Sequence, residues 1–580
     1  MSKPFRNLAI RGSTGLTGEF ASQLTIGFTY EVAHSLATSF SWVGFLATWR
    51  SCCPRRPGTR RRNNDWKNVS AVIEWLNGII WSSALVYLCL GAGVYFTIRS
   101  RAVQIRKIKS IFTQMFRGRS SEDGVSSFQA LSMSLAGRVG VGNIAGVATA
   151  IGFGGPGAVV WMWISALLGA STSYVESTLG QTYKEKDPKT GEYRGGPAFY
   201  LEKAYEYTRF GKFFKVYGFV FAAVTVLAMS FLLPGVQSRA IGGAVTNAWN
   251  LPTWVTALAL VVIMAFIVIG GVKRIAHFAS LAVPFMAVIY ILAAIAVTFL
   301  NADQIVPVIE LIFKSAFGID TSTQAAFGGI MGLAVQWGVQ RGIYSNEAGQ
   351  GTGPHAAAAA EVSHPTKQGL VQAGSVYIDT LFVCSATAFM ILSTGMYRVL
   401  SPEGEIIGSG RGQLVESLET TPGEGWPQSG LDSIFPGIGA SFIAISIFLF
   451  ALTTIVAYYY MAETNLVYLL GKFKNPVFLT IGTRALQVLI LIAVAIGVMN
   501  DNPGDAWALG DIGVGAMAWL NIVGILILQQ PAFKLLRDFE RQQKLGLDPE
   551  FDPQAVGIRN ATFWEERWAR MKAGEQVPQG

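Results

Sequence analysis

The sequence predicts an all-α polytopic membrane protein. About eleven transmembrane helices are expected, one in front and ten forming two five-helix halves inverted with respect to each other. Three observations carry this. Of 580 residues, 51% are hydrophobic and only 14% charged, whereas about 25% of a soluble chain is charged. The apolar residues gather in segments of about twenty, the length at which a helix crosses the hydrocarbon core. Short ordered matches between glycine-rich segments also recur at one spacing, as a duplicated unit requires.

The apolar runs place spans at 72–97, 128–151, 157–182, 214–233, 254–272, 277–299, 325–343, 372–397, 438–462, 477–499 and 511–530. An excess of Lys and Arg marks cytoplasmic connections. The first connection carries Arg99, Arg101, Arg106, Lys107, Lys109, Arg117 and Arg119; the third includes Lys184, Arg194 and Lys203, and the fifth has Lys273 and Arg274. The connection at 398–437 is acidic, and that at 500–510 holds Asp501 and Asp505 without a base. The first span therefore enters from outside, and the tail from Phe533 is cytoplasmic. Topology accounts for the formal net charge of +9, so nucleic acid is not a partner. The expected setting is the lipid bilayer of the plasma membrane, the inner membrane if the source is Gram-negative.

The parts of the chain follow. Residues 1–70 are a basic extension, with Arg55, Arg56, Arg60, Arg61, Arg62 and Lys67 on the side assigned outside. They are either an added arm or untranslated, with a start near Val69, and the mature chain is expected to lack most of them. Residues 71–127 form the additional helix and its loop, 128–300 and 325–530 the two halves, and 531–580 the cytoplasmic tail. Cys52 and Cys53 are adjacent, while Cys89 and Cys384 lie within spans, so no disulfide framework or metal spacing emerges.

Gly140-Val-Gly142-Asn-Ile-Ala145 fits a dinucleotide-binding turn, but that turn needs an acid about twenty residues on. None occurs from Val139 until Glu176. The glycines have another use. Leu135-Ala136 and Gly140-Val141 match Leu333-Ala334 and Gly338-Val339 at a spacing of 198, and Gly155-Pro156 matches Gly353-Pro354 at the same spacing. An odd number of spans per half inverts the second half, and inverted repeats with interrupted first helices are the architecture of many secondary transporters. Irregular backbone at membrane depth is tolerated where it is buried or lines a cavity. There a half-helix N-terminus receives a carboxylate and freed carbonyls receive a hard cation.

Arg341–Gly369, "RGIYSNEAGQGTGPHAAAAAEVSHPTKQG", resembles the signature of the alanine or glycine:cation symporter family. "RGGPAFYLEKA", "GVGNIAGVATAI" and "DTLFVCSATAFMIL" resemble its other landmarks, and the similarity runs from about 70 to about 535. The resemblance implies a leucine-transporter-like 5+5 inverted repeat behind one extra helix. It also implies import of a small neutral amino acid, alanine or glycine, with Na⁺ as coupling ion or, alternatively, H⁺. Val141 stands where the family pattern leads one to expect Ser or Thr.

The resemblance places Na⁺ at the break in span two, against the carbonyls of Ala136 and Val139, with Thr453 and Thr454 of span nine opposite. Hydroxyl and carbonyl oxygens suit such a hard cation. The substrate is expected against Gly140, Gly142 and Asn143, with Gln237 from span four and Gln336, Trp337 and Gly338 from an unwound span seven. Trp337 is expected to cap the side-chain pocket. Asp379, the most membrane-buried acid, is a candidate to bind cation, to carry a proton, or to pair with Arg138 or Arg341. Glu347 reads as a gate or scaffold residue at the cytoplasmic end. No cofactor and no obligate protein partner are inferred. An enzyme would need a nucleophile, base or metal cluster within the spans, and the sequence offers none. A channel usually draws on symmetric rings from several subunits, whereas this chain carries its repeat internally.

Overall fold

Apolar segments that leave water must satisfy every backbone group within themselves, which makes them helices. The computed structural model describes residues 61–575 except 118–120, 122–123, 188–189, 269–270, 320–323, 403, 412–414, 417, 474–475 and 501. The chain divides into units Met1–Asn68 and Val69–Gly580. The expectation for residues 1–70 lies almost wholly outside the described residues, and the second unit is treated below.

The first span, Ser70–Arg99, joins α1 (Arg61–Ile80) to α2 (Ser83–Arg99), and α3 (Ile108–Phe116) follows. The first half contains α4 (Ser127–Arg138), α5 (Val141–Gly154), α6 (Ala158–Thr182), the short α7 (Pro197–Lys203), α8 (Gly211–Trp249), α9 (Thr253–Val268) and α10 (Gly271–Leu300). After α11 (Ile305–Ala316), the second half contains α12 (Gln324–Asn346), α13 (Gly353–Ala359), α14 (Pro365–Thr394), α15 (Gly425–Ile434), α16 (Gly439–Gly471), α17 (Pro476–Val498) and α18 (Pro503–Leu528). The tail forms α19 (Gln530–Lys544) and α20 (Thr562–Lys572). Phe285, Leu292 and Phe299 are exposed on α10 at a spacing of seven, a stripe suited to acyl chains.

Among the described residues, eight helices are long and apolar enough to cross a membrane, and the bent α4–α5 pair makes nine. The other two of the eleven expected segments are also helical: α9 is an apolar helix of 16 residues, and α12 stands outside the apolar set. Span four is longer than expected: α8 continues through a π-helical turn at Ala228–Leu232 to Trp249. A second π turn, Ile378–Cys384, interrupts α14.

The two halves break differently. The first breaks between Arg138 and Val141 with a bend of 41°. A Cβ on Gly140 would stand 2.6 Å from Thr454 Oγ1 and 3.0 Å from Gln237 Oε1, so only glycine lets the chain pass there. In the second half α12 runs without interruption through Gln336, Trp337 and Gly338, which corrects the expected unwinding there. Gly338 serves packing instead, because its Cβ would meet Ala158 O at 2.5 Å and Trp161 Cβ at 2.6 Å; small residues admit such close approach. The actual break is the non-helical stretch after Asn346, where Glu347, Gly349 and Gly351 take φ of 55°, 86° and 87°. These left-handed conformations favour glycine. The spacing of 198 therefore pairs a broken site with an unbroken one.

Candidate functional site

The α4–α5 break frees carbonyls at the end of α4 and amides at the start of α5. Thr454, buried on α16, faces the carbonyls: its Oγ1 is 2.9 Å from Ala136 O, 3.3 Å from Val139 O and 2.9 Å from Phe450 O. One hydroxyl proton serves one of these three carbonyls at a time, so the Thr454 hydroxyl cannot satisfy both carbonyls freed by the break. Hard cations are held by such oxygen sets. Thr453 is turned away, donating to Phe450 O of its own helix at 2.8 Å, an ordinary intrahelical bond.

On the amide side, Val141 N–H donates to Gln237 Oε1 at 3.0 Å and Gly140 N–H to Asn143 Oδ1 at 2.8 Å. Gly142 faces α12, where its Cβ would lie 3.1 Å from the Tyr344 ring and 3.3 Å from Ser345 Cα. The structure thus brings Ala136, Val139, Gly140, Gly142, Asn143, Gln237 and Thr454 together around one break. It does not bring Gln336, Trp337 and Gly338 to it. Gln336 is exposed, and Trp337 stacks on Phe153 at the far end of α5, with ring centroids 4.8 Å apart.

Asp379 is buried and held as an acceptor by Asn143 Nδ2 at 2.6 Å, Ser345 Oγ at 2.9 Å and Thr380 Oγ1 at 2.8 Å. It pairs with neither arginine considered for it. Arg138 donates to Gln372 O at 3.2 Å and to Ser375 Oγ. Arg341 instead makes a two-pronged bond to Asp511 of α18, at 2.9 Å on each prong, with both side chains 3% exposed. Trp507 covers that guanidinium at 4.4 Å, and Gln340 donates to Asp511 at 3.0 Å.

Sequence reasoning passed over Glu176. This buried carboxylate of α6 accepts from the Gly349 and Gly351 N–H groups, each at 3.2 Å, and from Asn521 Nδ2 at 2.7 Å. It thereby fixes the second break. An acid inside an apolar segment was the signal.

The tail is part of the folded body rather than a loose end. Arg567 pairs with Glu361 at 2.6 Å, and Trp564 Nε1 donates to Gln181 O at 2.9 Å. Lys184 donates to Ala360 O at 2.9 Å beneath the rings of Tyr193, Phe563 and Trp564.

The family model described as the sodium:alanine symporter family matches residues 66–553. The chain belongs to the sodium:alanine symporter family. It is similar to the putative sodium/proton-dependent alanine carrier protein YrbD of Bacillus subtilis, 53% identical over 85% of this chain and 97% of that protein. The sodium/proton-dependent alanine carrier protein of Bacillus sp. (strain PS3) is 49% identical over 78% of this chain and 98% of its own length. The sodium/alanine symporter AgcS of Methanococcus maripaludis is 33% identical over 79% of this chain and 94% of its own length. Among solved structures, MhsT in complex with L-phenylalanine aligns with 72% of this chain and 99% of that chain, at 15% identity and a TM-score of 0.47. As a sodium:alanine symporter family member, the chain is a multi-pass membrane transporter and not an enzyme.

Proposed function

We propose that this symporter imports alanine, and glycine by the same site, with Na⁺ through alternating access. Na⁺ occupies the oxygens of Ala136, Val139 and Thr454, with Thr453 adjacent. The substrate occupies the α4–α5 break beside Gly140, Gly142, Asn143 and Gln237, its carboxylate directed to the N-terminus of α5. The convergence of Thr454 Oγ1 on two carbonyls freed by the break is the observation that carries this reading. The Tyr344 ring against Gly142 supports a small side chain, and the relatives' names support alanine. Uptake of labelled alanine and glycine into proteoliposomes under imposed Na⁺ or H⁺ gradients is the test. Accumulation of both under a Na⁺ gradient is expected; no accumulation of either under that gradient contradicts the reading.

A further inference from the structure

Among the acids buried at the two breaks, Glu347 is the one whose carboxyl is least served by protein donors. It is 1% exposed and begins the break after α12. Among the described residues neither Oε1 nor Oε2 has a well-formed hydrogen bond, and the Thr352 hydroxyl beside it is the one donor near enough to serve it. Its two acidic neighbours differ. Asp379 accepts from an amide and two hydroxyls, and Glu176 from two backbone N–H groups and an amide. Both thus have three protein donors.

The charged and titratable groups facing Glu347 are Arg138 from α4, Glu176 from α6 and Asp379 from α14, with the phenols of Tyr344 on α12 and Tyr458 on α16. One guanidinium thus stands among three carboxyls. A single cation cannot balance three carboxylates at once, and a further buried charge with so few donors is costly.

We propose that Glu347 is the proton-binding group of this transporter. It stays a neutral carboxylic acid while both ends of the bundle are closed. It gives up its proton to water when α13 moves, and is recharged on the other side. The role rests on the symport reading above. Arg138 and Ser177 close tightly on the start of α13: a Cβ on Gly353, its first residue, would lie 2.8 Å from an Arg138 guanidinium nitrogen and 3.4 Å from Ser177 Oγ. Among the described residues, Ser177 Oγ, the Gln350 side chain and Gln372 Nε2 beside it are buried without a hydrogen-bond partner.

Two readouts on the full-length protein test the proposal. The first is infrared difference spectroscopy of purified protein as the solution is taken from mildly acidic to alkaline. A protonated-carboxyl band that titrates is expected in wild type and in Asp379→Asn, and is expected to be absent in Glu347→Gln. Its persistence in Glu347→Gln overturns the proposal. The second uses proteoliposomes loaded with a pH dye. Alanine added outside should acidify the lumen with wild type and with Glu347→Asp. Glu347→Gln should lose this to the level of protein-free vesicles while keeping alanine–alanine exchange, which also shows that the variant is folded. Acidification by Glu347→Gln at the wild-type rate overturns the proposal. So does alanine uptake by wild type without acidification, which leaves the symport reading standing. No alanine movement by wild type under any gradient overturns both.

Discussion

Thr454 Oγ1 lies 2.9 Å from the carbonyl oxygen of Ala136, a residue 318 positions earlier in the chain. Its neighbour Thr453 bonds only its own helix. This separates two hydroxyls that look equivalent in sequence. Thr454→Ala is expected to raise the Na⁺ concentration for half-maximal alanine uptake about tenfold, within the range of typical site–site coupling. Thr453→Ala should raise it less. Equal Na⁺ dependence in wild type and Thr454→Ala would remove Thr454 from the ion site.

Gly142→Val should abolish uptake without preventing membrane insertion. The new Cβ would press on the Tyr344 ring at 3.1 Å and on Ser345 Cα at 3.3 Å, filling the space assigned to the substrate side chain. Uptake near the wild-type level, with normal expression in the membrane, would move the substrate away from this break.

Arg341 and Asp511 form a buried pair, so removing one charge strands the other. Asp511→Asn is expected to cost ~3–5 kcal/mol, as for other broken buried pairs, whereas replacing both partners by apolar residues costs less. Thermal unfolding of the purified protein in detergent measures this. An unchanged midpoint for Asp511→Asn would show that the pair does not hold α12 to α18.

The docked tail should respond to pH through Lys184. Burial pushes its pKa down to about 7 from the ordinary lysine value of 10.5; Glu361 opposes the shift and Arg567 adds to it. A base whose folded pKa is lowered binds fewer protons folded than unfolded, so docking strengthens as pH rises from about 7 toward 10.5 and is weakest below that window. His364, also lowered by burial against the opposing pull of Asp538, acts in the same direction below its unfolded value. Limited proteolysis around α20 should therefore be faster at mildly acidic than at alkaline pH, and Lys184→Met should reduce the difference. A cleavage rate independent of pH in the wild type would contradict this account of the tail.

The legible parts of this molecule were those written in composition and period. Apolar length located the spans, and the crowded glycine run Gly137–Gly146 located the first break, because a helix that must pass Thr454 and Gln237 at contact distance has no room for a Cβ. The second break was misplaced because glycine has two uses inside a membrane. Gly338 brings α12 against α6, whereas Gly349 and Gly351 supply left-handed turns; a sequence match weighs both alike. Glu176 was passed over for a related reason: its value lies in holding the amides of residues more than 170 positions away, a relation that no local pattern carries. The sequence assigns the tail only to the cytoplasmic side, and its docking depends on partners such as Gln181 and Glu361 that only the folded chain assembles.

Equilibrium binding of labelled alanine to the purified protein, measured across Na⁺ concentrations in wild type and Thr454→Ala, tests the central claim most directly. If Na⁺ at the α4–α5 break and alanine beside it share one site, each tightens the other by the same factor. Wild type should bind alanine about tenfold more tightly at saturating Na⁺ than without it, a coupling of ~1.4 kcal/mol, and Thr454→Ala should lose most of that gain. Alanine affinity indifferent to Na⁺ in wild type, or a gain kept in full by Thr454→Ala, would contradict the account.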